Sequence, residues 1–348
     1  MTVERTEAGR VTIQDVADAA GVSRAAVSKV IRDAYGVSPA MRARVLATID
    51  ELEYRPSVSA RGMRGATLTL GIEIPEFANQ FFTKVIAGIT ASLAETPYQL
   101  IIAPTERSSR EGYRAIQALA DRQVDGIIAV SPLVESEWLE KFAATTPTVM
   151  LGRHDTSLNY DTVVGDDVEG TRLATQHLFD LGHHDIVHVA PEEQVTIAGS
   201  GTPHSLRLGG YVSAMKETGR AEFIRIVRSD NSEEGAYLAA NDLLDAHVPT
   251  AIFAGNDEPA LGVLRALAER NLERQVSVVG YDDTGAARHP LISLTSVGQS
   301  GTDMGSRSAE LLLERIGGRA EARHEVFAPH LWERKSSGPV GAILRKDN

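Results

Sequence analysis

The sequence predicts a small N-terminal domain of three α-helices, followed by an α/β body whose two lobes are each built on a doubly wound parallel sheet. Two features of the pattern carry this prediction. Helix-start signals and helical spacing of apolar residues fill residues 11–52, and from Leu68 onward short apolar runs alternate with helical stretches. Strands that alternate with helices pair in parallel and are covered on both faces, and two successive series of strands indicate two lobes.

The N-terminal segment carries the start signals of three helices. These signals are Thr12 with Asp15 three residues later, Ser23, and Ser38 followed by Pro39. Gly21 suits the turn between the first two helices, since a positive φ costs glycine nothing. Helical spacing predicts a buried side formed by Ile13, Val16, Ala17, Ala20, Val22, Val27, Val30, Met41, Val45, Ile49 and Leu52. A helix, a glycine turn and a second helix within about 20 residues are typical of DNA-binding helix-turn-helix motifs, although periodicity alone also fits a generic helical bundle.

The apolar runs of the body fall into two series of predicted strands. The first series is 68–74, 99–103, 126–130 and 148–151, and the second is 162–164, 186–190, 223–227, 250–254 and 276–280. In open α/β sheets ligands bind at the carboxyl ends of the strands. We therefore expect a ligand site in the cleft between the two lobes.

Charge is divided unevenly along the chain. The net charge is −12, yet residues 1–65 hold ten Lys and Arg against eight Asp and Glu, a net of +2, which leaves −14 for the remainder. A local basic face can hold phosphates even when the whole protein is acidic. The first segment is therefore compatible with nucleic acid, and the acidic body discourages nonspecific attachment to it.

Composition excludes several other classes. Cysteine is absent, which rules out disulfides and thiolate chemistry. The sequence has no run of about 18 apolar residues, and its polar first ten residues lack the apolar stretch of a secretory signal. We expect a cytoplasmic protein with no membrane partner, no cofactor and no metal.

Specific motifs in the first 65 residues point to a family. They are Ala20-Gly21-Val22-Ser23, Ala26-Val27-Ser28, Arg44-Val45-Leu46 and Tyr54-Arg55-Pro56-Ser57-Val58-Ser59-Ala60-Arg61-Gly62-Met63-Arg64. Together they closely resemble the helix-turn-helix and hinge of the lactose repressor/galactose repressor family, and the resemblance covers essentially the whole chain. It implies a bacterial transcription regulator that binds operator DNA as a homodimer through hinge helices that fold on the DNA. It also implies a body similar in fold to periplasmic sugar-binding proteins.

The resemblance implies a division of the chain into a head, a hinge and two lobes. Residues 1–56 form the DNA-binding domain and residues 57–66 the hinge helix or linker. The first lobe comprises residues 67–165 and 297–327, and the second comprises 166–296 and 328–348. The chain ends soon after Leu344 without a leucine heptad tail, so we expect a dimer rather than a tetramer.

The resemblance also assigns DNA contacts to individual residues. Arg24 and Ala25 stand where the family distinguishes operators, and Lys29 stands where it reaches a base edge. Arg24 suits a bidentate contact to guanine, and Ala25 suits a thymine methyl group. The expected phosphate-contacting or helix-capping residues are Thr12, Ser23, Ser28 and Tyr35. In the hinge, Met63 stands where the family wedges a Leu into the minor groove, and Ala60 suits the close approach of paired hinge helices.

In the body, three residues match effector-binding positions of the family. Arg207 supplies a fork of donors, Asn256 donates and accepts, and Asp282 accepts from vicinal hydroxyls. Arg153 is a further candidate, and Phe81 is expected to form an apolar wall. Asp167 replaces a common Asn of the family. The expected effector is a sugar or a sugar-like molecule, with a nucleoside also open.

Other readings of the sequence fit less of the chain. A stand-alone sugar-binding module would explain residues 67–348 but not the helix-turn-helix. The pair His183-His184 does not have the spacing of a metal site, and Asp282 with Asp283 is expected to point in opposite directions from a strand end. Gly199-Ser200-Gly201 lacks the context of a nucleophile elbow. We therefore expect no enzymatic activity.

Overall fold

The structure is a computed structural model that describes residues 11–31, 34–54, 66–75, 77–105, 109–130 and 133–341. The chain divides into two compact units, Met1–Thr67 and Leu68–Asn348. Within the described ranges, no helix combines the length and the apolar character that a membrane span requires.

The first unit contains three helices, α1 Ile13–Ala20, α2 Arg24–Ile31 and α3 Pro39–Glu51. The start of α1 is a reciprocal capping box. The Thr12 hydroxyl accepts a hydrogen bond from the backbone N–H of Asp15 at 3.3 Å, and the Asp15 carboxylate accepts one from the backbone N–H of Thr12 at 2.7 Å. Both bonds satisfy N–H groups that a helix start otherwise leaves unpaired.

The other two helices begin at the serines that the sequence indicated. Ser23 Oγ accepts from the backbone N–H of Ala26 at 3.2 Å, and Ser38 Oγ accepts from that of Met41 at 3.3 Å. Gly21 ends α1 with a φ of 63°, in the left-handed region that glycine adopts without strain. The turn after Gly21 leads directly into α2.

All three helices contribute to one small core. Its buried members are Val16, Ala17, Ala20, Val27, Val30, Val45 and Tyr54. The prediction of a fully buried stripe on α3 is wrong at three positions, because Met41, Ile49 and Leu52 pack against this core while remaining half-buried. Val27 and Val30 pack α2 into this core. The opposite side of α2 therefore faces solvent.

The first lobe of the second unit contains a six-stranded sheet. Its strands are β1 Thr69–Ile74, β2 Gln99–Pro104, β3 Gly126–Ala129, β4 Thr148–Leu151, β5 Asp161–Gly165 and β11 His324–Phe327. They pair in the order β11-β5-β4-β3-β1-β2, all in parallel. The helices of this lobe are α4 Gln80–Leu93, α5 Ser109–Asp121, α6 Ser136–Ala143 and α12 Gly301–Ile316. Separate apolar clusters on its two faces show a sheet covered on both sides.

The second lobe repeats this plan. Its strands are β6 Ile186–Pro191, β7 Arg225–Ser229, β8 Ala251–Ala254, β9 Ser277–Tyr281, β10 Thr295–Gly298 and β12 His330–Trp332. They pair in the order β12-β10-β9-β8-β6-β7, in parallel except for the antiparallel β10–β12 pair. Its helices are α7 Asp167–Asp180, α8 Pro203–Glu217, α9 Glu233–Ala246, α10 Asp257–Glu269 and the short α11 Gly285–Arg288.

The chain passes between the two sheets three times, after β5, after β10 and after β11. The predicted lobe boundary at residue 297 falls inside β10, so the second crossing follows Gly298. The strands β10, β11 and β12 were not predicted, and they are only three or four residues long. The predicted start of β7 is too early, because Ala221–Phe223 forms a 3₁₀ turn ahead of that strand.

Candidate functional site

The solvent-facing side of α2 presents the residues that were expected to read DNA. Arg24, Ala25 and Lys29 are all exposed, whereas Val27 and Val30 lie in the core. Within the part of the chain that the structure describes, the side chains of Arg24 and Lys29 form no hydrogen bond or ion pair. Their donors therefore remain available to an external partner.

The other expected DNA contacts lie around α2 or outside the described ranges. Thr12 and Ser23 are exposed helix caps, Ser28 is half-buried, and Tyr35 is fully exposed at 101%. Exposed hydroxyl groups beside helix starts can reach DNA phosphates. The hinge residues Ala60 and Met63 lie outside the described residues.

A cavity of about 140 Å³ lies between the two lobes of the second unit. Residues that follow or end the strands of both sheets contribute to it, as expected for open α/β sheets. Its lining residues are Pro75, Asn79, Phe81, Phe82, Thr105, Val130, Leu133, Leu151, Gly152, Gly165, Asp167, Pro191, Val195, Thr202, Pro203, His204, Arg207, Asn231, Asn256, Asp282, Gln299 and Met304. The first lobe supplies a mainly apolar wall, in which the rings of Phe81 and Phe82 meet edge to face at 5.6 Å. The second lobe supplies most of the polar groups.

Arg207 of α8 is the central donor of the polar wall. It is 3% exposed, its Nε donates to Asp167 Oδ1 at 2.7 Å, and its Nη1 donates to the Gly255 carbonyl at 2.7 Å. The guanidinium lies 3.7 Å above the ring centre of Tyr281. That ring packs tightly on α7, since a Cβ on Gly170 would lie 2.1 Å from Tyr281 Oη. Burial alone would lower the pKa of Arg207, but Asp167, Tyr281 and Asp282 together outweigh burial and raise that pKa above its ordinary value.

Asp282, directly after β9, is the second charged group of the polar wall. Its Oδ2 accepts a hydrogen bond from Asn256 Nδ2 at 2.6 Å, and its Oδ1 accepts one from Gln299. Asn231 Nδ2 in turn donates to Asn256 Oδ1 at 3.2 Å. These four side chains come from four separate strand ends and form one hydrogen-bonded chain along the cavity wall. Each amide has its orientation fixed by a neighbour.

The turn that carries Asp282 is strained and held by several contacts. Asp282 and Asp283 have φ angles of 104° and 46°, in a region that side-chain-bearing residues adopt at a cost. The Asp283 carboxylate accepts from Arg288 and Arg334 at 2.5 Å each, away from the cavity. Lys84 of the first lobe donates to the carbonyl of Asp282 at 3.1 Å and to that of Asp283. The two carboxylates thus diverge, as expected, and the turn touches both lobes.

Two neighbouring buried carboxyl groups have raised pKa values. Burial raises the pKa of Asp282, although Arg207 partly offsets this effect. Burial, and then the charge of Asp282, raise the pKa of Asp257 to about 7. Asp257 sits behind the cavity wall, where its carboxylate accepts from Ser296 Oγ at 2.6 Å and from the backbone N–H of Thr284 at 2.7 Å. The protein therefore holds the carboxyl end of β9 in a strongly desolvated environment.

Four of the five expected effector residues line the cavity, and Arg153 does not. Phe81 belongs to the apolar wall, and Arg207, Asn256 and Asp282 to the polar wall. The Arg153 guanidinium is buried beside β4, where it contacts Asp155, Ser136 Oγ and the carbonyl of Val134. These contacts within the first lobe hold it away from the cavity, so its assignment to the site is wrong.

Among the described residues, seven polar lining residues were not anticipated as site residues, and three of them, Asp167, Asn231 and Gln299, hydrogen-bond to the expected polar residues. Asp167 was noted only as a replacement for Asn, yet it pairs with Arg207. Asn231 follows β7, where the strand was placed two residues too early, and Gln299 follows β10, which was not predicted. A systematic search of the residues that follow each predicted strand would have reached Asn231 but not Gln299, because β10 was not predicted.

The residues considered for metal or catalytic chemistry have structural partners. His183 Nε2 lies 3.0 Å from the Gly338 carbonyl, whereas His184 Nδ1 accepts from Arg220 Nε at 2.7 Å, so the two rings face different partners. Across the described ranges, no group of three or more His, Cys, Asp or Glu side chains is placed to hold a metal ion.

The fold and cavity define a helix-turn-helix regulator with a periplasmic-binding-protein-like body, and comparisons with known proteins identify its family. Residues 12–57 match the model of bacterial regulatory proteins of the lacI family, and residues 175–337 match the periplasmic binding protein-like domain. The ribose operon repressor of Escherichia coli K12 is 33% identical over 88% of this chain and 93% of its own length. The chain therefore belongs to the LacI family, whose members are transcription regulators and not enzymes.

Solved structures of the family have the same fold. A lac repressor dimer bound to operator and the anti-inducer ONPF superimposes with a TM-score of 0.76 at 28% identity, covering 95% of this chain and all of that one. The complex of the transcriptional regulator CelR with cellobiose superimposes with a TM-score of 0.67 at 32% identity, covering 94% of this chain and all of that one.

Proposed function

We propose that this chain is a transcription repressor that binds a pseudo-palindromic operator as a homodimer and senses a sugar-like molecule in the cavity between its lobes. The observation that carries the proposal is the presence of two unlike sites in one chain. One is an exposed helix whose Arg24 and Lys29 side chains have no partner among the described residues, and the other is a cavity between the lobes with an ordered polar wall.

The exposed side of α2 has the chemistry needed for base reading in the major groove. Arg24 donates two parallel hydrogen bonds to the O6 and N7 atoms of a guanine, and Lys29 reaches a second base edge as a more flexible point charge. Ala25 contacts a thymine methyl group. Thr12, Ser23, Ser28 and Tyr35 hold the flanking phosphates and fix the register of α2 on the duplex.

The homodimer follows from the geometry of operator recognition. One helix of eight residues reads only a few base pairs, so two heads on adjacent half-sites are needed for a specific site. The related lac repressor structure is a dimer on operator. From the family resemblance we further infer that Ala60 and Met63, which lie outside the described residues, contact the operator.

Selection of genomic DNA fragments by the purified protein, followed by footprinting, tests the DNA-binding part of the proposal. The expected result is a protected site with two-fold symmetry. The matched control is the double variant Arg24→Ala/Lys29→Ala, which keeps the core of α2 intact and is expected to enrich no sequence. Equal enrichment by both proteins, or no specific enrichment by the wild type, contradicts the proposal.

The cavity has the polarity that recognition of a polyhydroxy ligand requires. Asp282 and Asn256 accept and donate hydrogen bonds on the second-lobe wall, while Phe81 and Phe82 form an apolar surface for the C–H face of a ring. Names of relatives include a ribose operon repressor and a cellobiose-bound regulator. Because the cavity lies between two lobes, a ligand that contacts both favours one closure of the lobes over another, and so one spacing of the hinges.

A ligand panel measured on the operator complex tests this second part. Sugars and nucleosides are titrated against the wild type and against Asp282→Asn, which changes the charge of the cavity wall but not its volume. We expect the active ligand to change operator affinity of the wild type and not of the variant, whose affinity without ligand stays the same. An unchanged ligand response in Asp282→Asn removes this residue from the site.

A further inference from the structure

Asp167 links a cation on the cavity wall to the opposite lobe. It is the first residue of α7 and is 1% exposed. Its Oδ1 accepts from Arg207 Nε at 2.7 Å, and its Oδ2 lies 2.8 Å from Nε2 of His154, which follows β4 of the first lobe. An ionised carboxylate can only accept, so His154 Nε2 is the donor of this bond.

The cavity wall carries no surplus of positive charge. Among the described residues that line it, Arg207 is the one Arg or Lys, whereas Asp167 and Asp282 are both acidic. Burial alone would raise the pKa of Asp167, but Arg207 and His154 outweigh that effect and lower the pKa below its ordinary value. Asp167 is therefore ionised at neutral pH and cancels the charge of Arg207.

The guanidinium of Arg207 is held by more than Asp167. Its Nη1 donates to the Gly255 carbonyl, and its plane rests on the Tyr281 ring. These contacts prevent it from turning toward a new anion without losing buried interactions. A phosphate or carboxylate in the cavity would thus face a cation that Asp167 already neutralises, beside the carboxyl group of Asp282. The low polarity of a buried site makes an unpaired anion there costly.

A neutral hydroxyl group meets no such penalty. It donates to the free lone pairs of Asp167 and Asp282, each of which has two oxygen atoms, and it accepts from the remaining N–H groups of Arg207. The same wall that repels an anion therefore suits vicinal hydroxyls.

We propose that Asp167 is a charge filter that acts through Arg207 and restricts the cavity to uncharged polyhydroxy ligands, excluding phosphorylated and carboxylated ones. This inference rests on the proposed function, because it concerns the effector site of the same regulator. Asn at this position would leave the Arg207 cation uncompensated and open the cavity to anions.

Thermal unfolding and calorimetry of the full chain with matched ligands test the charge filter. The probes are inorganic phosphate, glucose with glucose 6-phosphate and gluconate, and ribose with ribose 5-phosphate. We expect no anion to stabilise the wild type, and Asp167→Asn to bind the anionic probes at least about tenfold more tightly than the wild type does. The matched control is Asp166→Asn, the same change one residue earlier at the helix cap, which is expected to gain nothing.

A second substitution separates a charge effect from a general loosening of the cavity. In the double variant Asp167→Asn/Arg207→Met the gained anion affinity is expected to disappear, because the cation that attracts the anion is gone. Retained anion binding in that double variant would overturn the inference, as would the absence of any gain in Asp167→Asn.

The wild type alone also decides the question if Asp167→Asn does not fold. An anionic sugar that binds the wild type more tightly than its neutral counterpart overturns the charge filter. Operator binding by each variant is measured separately. Failure of the proposed function then appears as a lack of specific DNA binding, whereas failure of the charge filter appears as binding of anions by the wild type.

Discussion

Arg24 and Arg207 are the same residue type in two opposite environments. Arg24 stands exposed at the start of α2, and its side chain has no partner among the described residues. Arg207 is 3% exposed and is fixed by a carboxylate, a backbone carbonyl and an aromatic ring. A DNA groove is large and ordered, so a solvated side chain can become ordered when the protein binds the DNA. A small ligand cannot arrange its site, so the protein orders the site in advance.

Substitution of Arg207 is expected to have the largest effect on folding. Arg207→Met removes the arginine partner of the buried Asp167 carboxylate and leaves only its bond to His154. Breaking a buried ion pair costs about 3–5 kcal/mol of the free energy of unfolding. The ligand response should vanish as well. Denaturant unfolding of the full chain, monitored by a signal from the α/β body, measures the loss.

An exposed ion pair between an arginine and a glutamate in the same lobe serves as the control. Arg172 pairs with Glu169 on the surface of α7, with its side chain 58% exposed. We expect Arg172→Met to leave the unfolding midpoint nearly unchanged, since solvent screens such pairs. Equal losses in the two variants would show that burial does not distinguish these arginines.

The next largest effect is a pH dependence of the free energy of unfolding, which arises because Asp257 is buried. Burial raises the pKa of Asp257 to about 7 in the folded chain, against an ordinary value of 3.8, so the folded state keeps a proton that the unfolded state loses. Stability is therefore greatest below about pH 4 for this group and falls as pH rises toward 7. Relative to Asp257→Asn, the wild type should lose on the order of 2–4 kcal/mol over that range.

Unfolding curves of wild type and Asp257→Asn at pH 4, 5, 6 and 7 measure this difference. Both proteins share every other titrating group, so the difference between them reports Asp257 together with its coupling to Asp282. A constant difference across the range would mean that Asp257 has an ordinary pKa in the folded chain.

On the exposed side of the comparison, Arg24→Ala should alter DNA affinity and leave stability unchanged. Loss of a bidentate guanine contact costs about 1–3 kcal/mol, or roughly 5- to 150-fold in operator affinity. Replacing the contacted base pair should weaken the wild type but not the variant. Binding isotherms on both operators at fixed salt provide the measurement, and a uniform loss on every sequence would instead indicate a phosphate contact.

The smallest expected effect is that of the N-terminal cap of α1. Thr12→Ala removes the capping hydroxyl of α1 and should cost about 0.5–2 kcal/mol. Hydrogen exchange of the α1 amides in the full chain should speed up accordingly. Thr12→Ser keeps the hydroxyl and should behave as the wild type. Faster exchange in both variants would point to the methyl group rather than the cap.

The two regions also differ in how far the sequence predicts them. The helices of the head follow from signals within four residues, such as Thr12 with Asp15, and these signals proved correct. The cavity joins residues that are far apart in sequence, including Arg207 with Asp167 and Asn256 with Asp282. Family resemblance placed three of these four in the site, but no local pattern shows which side chains will pair.

The errors have the same physical origin. Arg153 follows a strand end as the true site residues do, and only the fold reveals that Asp155 and Ser136 capture its guanidinium. The strand β10, which delivers Gln299, spans four residues and gives little periodic signal. Long-range pairing, and not local propensity, decides the composition of this site.

The most direct test of the central claim is a two-by-two measurement of operator affinity, with and without the active ligand, for Arg24→Ala and Asp282→Asn. If the two regions have separate tasks, Arg24→Ala will bind the operator weakly yet respond to ligand by the same factor as the wild type. Asp282→Asn will bind the operator normally and show no response. Two results would contradict the claim that α2 binds the operator and the cavity binds the ligand. One is loss of the ligand response in Arg24→Ala, and the other is loss of operator binding by Asp282→Asn in the absence of ligand.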